Sequence, residues 1–294
     1  MKRKHKVLSL FANIGVAEAY LNEIGISVPV ANEIEKRRAD LYQKIYPDCE
    51  MVCGDITVND VYNNIISKSK KAGVDIILAT PPCQGMSTVG QQEENDERNS
   101  LVLPVIHAIK DLNPKYVAIE NVPNFINTSI IHNDTKTLLV DIIKSELEND
   151  YNISVHIINT EDYSVPQSRE RMIILMTRKD LKREWSIPKK DKTVVTMHDA
   201  IGWIPSIDPF VKDLSPREFN KEFPLFNERK EKALSISRWN IPPVHIYRQV
   251  KVMQYTPTGK SAFDNAPKHR PVKEDGTLVK GYHNTYSCCL IQTY

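Results

Sequence analysis

The sequence predicts an α/β protein built on a doubly wound, mostly parallel sheet. Two observations carry this prediction. Short apolar runs alternate with longer segments of helical periodicity up to about residue 180, which is typical of a parallel sheet with helices on both faces. Polar residues also follow the ends of several runs, and ligands of such sheets bind beyond the carboxyl ends of the strands.

The predicted elements follow in order along the chain. Apolar runs of strand length predict six strands: Val7–Phe11, Val28–Ala31, Val74–Ala79, Tyr116–Glu120, Ile153–Asn159 and Met172–Thr177. Apolar residues spaced three and four apart predict five helices: Ile14–Ile24, Ile34–Ile45, Asp55–Ser69, Ser100–Leu112 and Thr135–Leu147. In the first helix, Ala17, Leu21 and Ile24 would share one face. After residue 190 there are only short pieces between prolines, with no sustained period.

Composition changes near residue 190, which predicts two domains, 1–190 and 191–294. The chain has 294 residues and a net charge of +2, and its later part is richer in proline and more basic than the first. A charge of this size is too weak to identify a nucleic-acid partner. A loop-rich tail with no binding role remains an alternative for 191–294.

Location and metal content are also constrained by the sequence. No apolar stretch is long enough to span a membrane, and the basic start runs into a strand too short for a signal peptide. The five cysteines are Cys49, Cys53, Cys83, Cys288 and Cys289, and none has zinc-ligand spacing. We therefore expect a cytoplasmic protein with free thiols, no metal and no membrane partner.

The run Ala79–Ser87 places Cys83 between Pro-Pro and Gln-Gly just after a predicted strand. The prolines restrict the backbone and the glycine lets another molecule approach closely. This pattern is typical of a nucleophilic thiol presented at a pocket. A buried cysteine acting as a small apolar residue is the commoner alternative.

Four other features lie at predicted strand ends. The turn Phe11–Gly15 offers backbone N–H groups to a polar ligand, and Glu33 ends the second strand, where a carboxylate suits ribose hydroxyls. Glu120 ends the fourth predicted strand, and Gln167–Arg171 leads into the last. Taken singly, each has an alternative: an ordinary tight turn, a solvated helix start, an exposed cap and a solvated charged face.

In this order, these features resemble the DNA (cytosine-5) methyltransferases of bacterial restriction–modification systems. Pro-Cys-Gln, Glu120-Asn121-Val122 and Gln-x-Arg-x-Arg carry the resemblance, with Gly54-Asp55-Ile56 and Asp96–Leu101 as further matches. The resemblance implies the S-adenosylmethionine-dependent methyltransferase fold. It also implies transfer of a methyl group from S-adenosylmethionine to carbon 5 of cytosine in a specific double-stranded DNA sequence.

The resemblance assigns roles to individual residues. Cys83 would add to carbon 6 of the ring, Glu120 would protonate N3, and Arg169 or Arg171 would contact the base and position Glu120. The cofactor would be held by eight residues: Phe11, Asn13, Gly15, Glu33, Asp55, Ile56, Pro81 and Leu101. The DNA would be contacted by Gln84, Ser87 and Arg98, with the target cytosine flipped out of the duplex.

The sequence departs from the family pattern at two places. Asn13 stands where the family usually has a glycine, a change expected to weaken cofactor binding without abolishing it. After Tyr286 the closing motifs are missing, and the chain ends Ser287–Tyr294. We therefore expect residues 191–294 to be a partial target-recognition region, and a second polypeptide to be a candidate supplier of the missing motifs. Alternatives are an inactive DNA- or cofactor-binding remnant, and a tRNA cytosine-5 methyltransferase, whose Cys-Phe-Thr signature is absent here.

Overall fold

The computed structural model describes residues 5–82, 97–257, 260–273 and 275–279. The chain divides into two compact units, Met1–Val194 and Val195–Tyr294. Within the described residues, no helix is long and apolar enough to cross a membrane.

A mostly parallel seven-stranded sheet organises the first unit, as the sequence predicts. Its strands are β1 His5–Leu10, β2 Ile26–Glu33, β3 Glu50–Cys53, β4 Ile76–Ala79, β5 Tyr116–Asn121, β8 Tyr151–Asn159 and β9 Glu170–Arg178. They lie in the order β3-β2-β1-β4-β5-β9-β8. Strand β9 runs antiparallel to both of its neighbours. The short edge strand β3 has no separate sequence prediction, because its four residues, Glu-Met-Val-Cys, are too few to show a period.

Four helices cover the sheet: α1 Lys36–Ile45, α2 Asn59–Ala72, α3 Val102–Leu112 and α4 Leu139–Leu147. Short 3-10 helices lie at Glu97–Leu101, Pro123–Asn127 and Thr160–Tyr163. The central strands and the inner faces of α2, α3 and α4 form one core, in which Leu8, Ile77, Ile106 and Ile119 are at most 2% exposed. This burial is the main apolar driving force for the unit.

The helix predicted at Ile14–Ile24 is wrong. These residues form a series of turns with i to i+3 hydrogen bonds, such as Leu21 N–H to the Glu18 carbonyl oxygen at 3.0 Å. On the predicted apolar face, Ala17 and Ile24 are exposed and Leu21 is half-buried. Val16 and Tyr20 beside them are also exposed, at 73% and 74%. Since a short helix gains most of its stability by packing an apolar face, helical periodicity alone does not produce one here.

The predicted helix Thr135–Leu147 is wrong in its first four residues. A hairpin precedes the helix, with β6 Ser129–His132 pairing antiparallel to β7 Thr135–Leu138. Its turn residues Asn133 and Asp134 have φ of 49° and 60°. Asn and Asp tolerate this left-handed conformation, and two such residues suit a two-residue hairpin turn.

The second unit is smaller and contains more helix than its sequence period suggests. Its helices are α5 Met197–Ile201, α6 Pro216–Glu222, α7 Phe226–Ile236 and α8 Tyr247–Gln254, and β10 Phe210–Val211 pairs in parallel with β11 Val244–His245. A core of three phenylalanines and two valines lies between them: Val211, Phe219, Phe223, Phe226 and Val250. Helix α6 begins at a reciprocal cap between Ser215 and Glu218.

Candidate active site

The candidate site is the edge of the sheet where the parallel strands end. Strands β1 to β5 are parallel to one another, so their carboxyl ends lie at one edge of the sheet. The antiparallel β9 brings its first residues to that edge beside the end of β5. Ten predicted site residues lie at strand termini or in adjoining segments here: Phe11, Asn13, Gly15, Glu33, Asp55, Ile56, Pro81, Glu120, Arg169 and Arg171.

The turn after β1 has an unusual backbone. Phe11, Asn13 and Gly15 have φ of 58°, 51° and 84°, and asparagine and glycine adopt this region more readily than other residues. A Cβ on Gly15 would lie 2.2 Å from Cε2 of Tyr46. The Tyr46 hydroxyl donates a hydrogen bond of 2.6 Å to the Gly15 carbonyl oxygen. The turn is therefore packed tightly against α1 and the residues after it.

Glu33 is a buried carboxylate and not a solvated helix start, since it is only 4% exposed. Its Oε2 accepts the backbone N–H of Asn13 and its Oε1 that of Glu35, both at 2.9 Å. The guanidinium of Arg38 lies 4.0 Å from Oε1. Each carboxylate oxygen can accept two hydrogen bonds. Glu33 therefore fixes the turn after β1 while retaining acceptor capacity.

The turn after β3 carries Asp55 and Ile56. Asp55 Oδ1 accepts the backbone N–H and the hydroxyl of Thr57, at 2.9 and 2.8 Å. Ile56 is 3% exposed and packs in the main core. Because Asp55 forms this local turn, α2 begins at Asn59 and not at Asp55 as predicted.

Two polar side chains hold the segment that leads towards Cys83. The Thr80 hydroxyl donates to the Phe11 carbonyl oxygen at 3.0 Å. Asn121, buried at the end of β5, donates from Nδ2 to the Pro81 carbonyl oxygen at 3.1 Å. Its Oδ1 accepts the backbone N–H of Val122 at 2.8 Å. The ends of β1, β4 and β5 are thereby held together.

Glu120 and Arg171 form an ion pair at this edge. Arg171 Nε lies 2.9 Å from Glu120 Oε1, and their side chains are 19% and 35% exposed. Burial raises the pKa of Glu120, and the nearby positive charge of Arg169 opposes this shift. The site thus contains a carboxyl group whose neutral form is favoured relative to a free glutamate.

The segment before β9 is held by the end of β8. Asn159 Oδ1 accepts the backbone N–H of Arg169 at 2.8 Å, and the Arg169 carbonyl oxygen accepts the N–H of Thr160 at 3.0 Å. Arg169 is exposed and Arg171 is half-buried. Of the two arginines, Arg171 is therefore the one that contacts Glu120.

The other five predicted site residues are Leu101, Cys83, Gln84, Ser87 and Arg98. Leu101 is half-buried at the end of the 3-10 helix before α3. Cys83, Gln84 and Ser87, and the side chain of Arg98, lie outside the described residues. The sequence predictions missed the contacts of Asn32, Thr80 and Asn121. The signal for these contacts in the sequence is that each of the three residues is small and polar and lies near the end of an otherwise apolar strand.

Comparison with known proteins identifies the family. A family model for C-5 cytosine-specific DNA methylases matches residues 5–287. The chain belongs to this family. It is therefore an enzyme of the class that methylates carbon 5 of cytosine in DNA. Family and fold together imply methyl transfer that depends on S-adenosylmethionine.

Individual relatives of this C-5 cytosine DNA methylase support the assignment. It is 38% identical to the type II methyltransferase M1.HgaI of Avibacterium volantium, over 97% of this chain and 74% of that protein. It is 28% identical to the type II methyltransferase M.XorII of Xanthomonas oryzae, over 69% of this chain and 47% of that protein. The chain therefore spans less than half of M.XorII.

A solved structure supports the fold. An E. coli prophage-encoded chain described as a DNA modification methyltransferase superposes with a TM-score of 0.56 at 24% identity, covering 72% of this chain and 59% of that one. At this identity the likeness concerns the fold alone. Among the described residues, no cluster of histidine, cysteine or acidic side chains is arranged to hold a metal ion.

Proposed function

We propose that this chain transfers a methyl group from S-adenosylmethionine to carbon 5 of cytosine in a specific double-stranded DNA sequence, as part of a restriction–modification system. The observation that carries the proposal is the Glu120–Arg171 pair. It lies at the edge where Asn121 holds Pro81, two residues before Cys83. An acid with a raised pKa thus lies close to the start of the segment that carries the nucleophile.

The residues at the cofactor edge fit S-adenosylmethionine. Glu33 has acceptor capacity for ribose hydroxyls, as a buried carboxylate after the second strand commonly does in nucleotide-binding sheets. The left-handed turn through Phe11, Asn13 and Gly15 suits a polar methionine tail, and Asp55 with Ile56 suits the adenine. Pro81 and Leu101 would complete the walls. When bound, this cofactor supplies an electrophilic methyl group.

The protein residues supply the nucleophile and the proton. The Cys83 thiolate adds to carbon 6 of cytosine, so a carbon–sulfur bond forms as the C5=C6 π bond opens and carbon 5 becomes nucleophilic. Once carbon 5 is methylated, loss of its proton to solvent and elimination of the Cys83 thiolate restore the ring. Glu120 donates its proton to ring N3 as negative charge would otherwise develop there. Arg171 holds the carboxyl group through its Nε and neutralises the carboxylate that remains. Arg169 lies close enough for its charge to act on the same carboxyl group.

DNA recognition is divided between two parts of the chain. Gln84, Ser87 and Arg98 would contact the duplex around a flipped cytosine, because carbon 6 is inaccessible inside a stacked duplex. We assign catalysis to residues 1–190 and target recognition to residues 191–294. A DNA substrate and bacterial relatives support a reaction in the bacterial cytoplasm.

We also propose that further polypeptide covers the apolar stripe formed by Val16, Tyr20 and Ile24. These three large apolar side chains, in the series of turns after β1, are each about 70% exposed, and exposed apolar groups of this kind commonly pack against another segment. The match to M1.HgaI leaves part of that relative unaligned, so additional sequence exists in a similar protein. We assign the covering segment to a second polypeptide.

The activity is tested by incubating the chain with tritiated S-adenosylmethionine and either unmethylated DNA or tRNA. We expect 5-methylcytosine in DNA at a defined sequence and none in tRNA. Label in tRNA alone would contradict the DNA assignment. The assay is repeated with a second polypeptide that corresponds to the unaligned part of M1.HgaI. Absence of both labels in both assays would favour an inactive remnant.

The covering segment is tested with Tyr20→Ser, which reduces the apolar stripe without touching a predicted site residue. We expect the chain alone to bind S-adenosylmethionine weakly, and we expect addition of the second polypeptide to raise this affinity. Tyr20→Ser should reduce that gain. Tight cofactor binding and full turnover by the 294-residue chain alone would refute the proposal.

A further inference from the structure

We infer that Asn32 is a positioning residue. It holds the turn after β1 and the turn after β3, which carry proposed cofactor-binding residues on either side of Glu33. This inference rests on the proposed function, because it concerns the same cofactor edge. Asn32 lies in β2, is 2% exposed and is the residue immediately before Glu33. A buried amide within a sheet requires hydrogen-bond partners, since leaving it without them is costly.

The side chain of Asn32 holds the turn after β3. Its Nδ2 donates to the carbonyl oxygens of Val52 and Gly54, at 2.9 and 3.0 Å. The Gly54 N–H in turn donates to the Glu33 carbonyl oxygen at 3.0 Å. One side chain therefore connects β2 to the backbone that leads directly into Asp55.

The main chain of Asn32 holds the other turn. Its carbonyl oxygen accepts the N–H of Ala12 at 2.9 Å, and the next N–H along, that of Asn13, donates to Glu33 Oε2. The turn after β1 and the turn after β3 are thus both fixed to residues 32 and 33. This arrangement determines the spacing between the ribose-binding and adenine-binding groups.

The turn after β3 has little room to move towards α2. Gly54 has φ +153°, and a Cβ there would lie 2.9 Å from Cγ2 of Val61 on α2. Loss of the Asn32 amide would leave the Val52 and Gly54 carbonyl oxygens without this donor, and Val61 blocks movement of the turn towards α2. The turn would then open away from β2, and Asp55 would move relative to Glu33.

The test compares Asn32→Ala with Tyr151→Phe. Tyr151 is a matched control, because its buried hydroxyl donates to the Pro114 carbonyl oxygen at 2.8 Å, before β5 and not at the cofactor edge. We expect Asn32→Ala to raise the Kd for S-adenosylmethionine, measured by calorimetry, at least tenfold. Tyr151→Phe should leave it within about twofold. In turnover, KM for the cofactor should rise with kcat and KM for DNA nearly unchanged.

A second measurement needs no cofactor. Amide hydrogen exchange of Gly54 and Thr57 should accelerate in Asn32→Ala and stay unchanged in Tyr151→Phe. If Asn32→Ala leaves both the Kd and this exchange unchanged, the positioning role is wrong. Glu33→Ala separates the two levels of the argument. If it weakens cofactor binding and Asn32→Ala does not, only the inference fails, and if neither does, the cofactor edge itself is wrongly assigned.

Discussion

Replacing Glu120 with glutamine isolates the proton from the shape of the side chain. Glutamine keeps an Oε1 that can accept a hydrogen bond from Arg171 Nε, which lies 2.9 Å from Oε1 of Glu120. It has no carboxylic proton to give to N3. The pair is partly exposed, so its loss should cost only about 0–1 kcal/mol of folding free energy. Loss of general acid catalysis should lower the methyl-transfer rate ~10²–10⁴-fold, or about 3–5 kcal/mol in the activation barrier.

The assay is single-turnover transfer of tritiated methyl to DNA, with cofactor affinity and thermal unfolding measured on the same preparations. Glu170→Gln is the control, because it makes the same chemical change at an exposed neighbour on β9. We expect the control to retain nearly full activity. A loss below about tenfold in Glu120→Gln, or equal losses in both variants, would refute the assignment of Glu120 as the proton donor.

Three other substitutions test the remaining roles. Cys83→Ala should abolish methyl transfer and covalent capture of DNA that contains 5-fluorocytosine, and it should retain DNA binding in gel-shift assays. Normal turnover by this variant would show that Cys83 is not the nucleophile. Glu33→Ala should weaken S-adenosylmethionine binding roughly ten- to hundredfold, because hydrogen bonds to a charged group contribute about 1.5–3 kcal/mol; an unchanged calorimetric Kd would contradict the assignment. Arg169→Gln removes a charge that lowers the pKa of Glu120, so the alkaline limb of the pH–rate profile should move to higher pH, and a shift to lower pH would contradict the proposed protonation state.

The sequence predicts the sheet well because its strands are continuous apolar runs bounded by turns. It fails at Ile14–Ile24, where helical periodicity is present but the described residues provide no packing for the exposed stripe. It also fails at Thr135–Leu138, which is strand β7 because the two left-handed residues Asn133 and Asp134 make a hairpin turn just before it. In both places, tertiary contacts or turn chemistry outweigh the period.

The location of the site residues is easier to predict than their contacts. Glu120 and Arg171 were both expected at the site, and the structure shows that they form an ion pair. The sequence left open whether Arg169 or Arg171 contacts Glu120, because that depends on strand register. The contacts of Asn32 and Asn121 could not be predicted, since an amide near the end of a strand has no fixed partner until neighbouring strands are paired.

The connection between β8 and β9 joins two paired strands, and the position of Arg171 depends on the register of β9. Ile158 and Arg171 are register partners across this connection, and Glu120 is opposite Ile173. Side chains alternate between the two faces of a strand, so a one-residue slip would turn Arg171 away from Glu120. Natural variants should therefore accept insertions at the hairpin tip Asn133–Asp134 far more readily than single-residue insertions or deletions within β9 between Arg171 and Ile173.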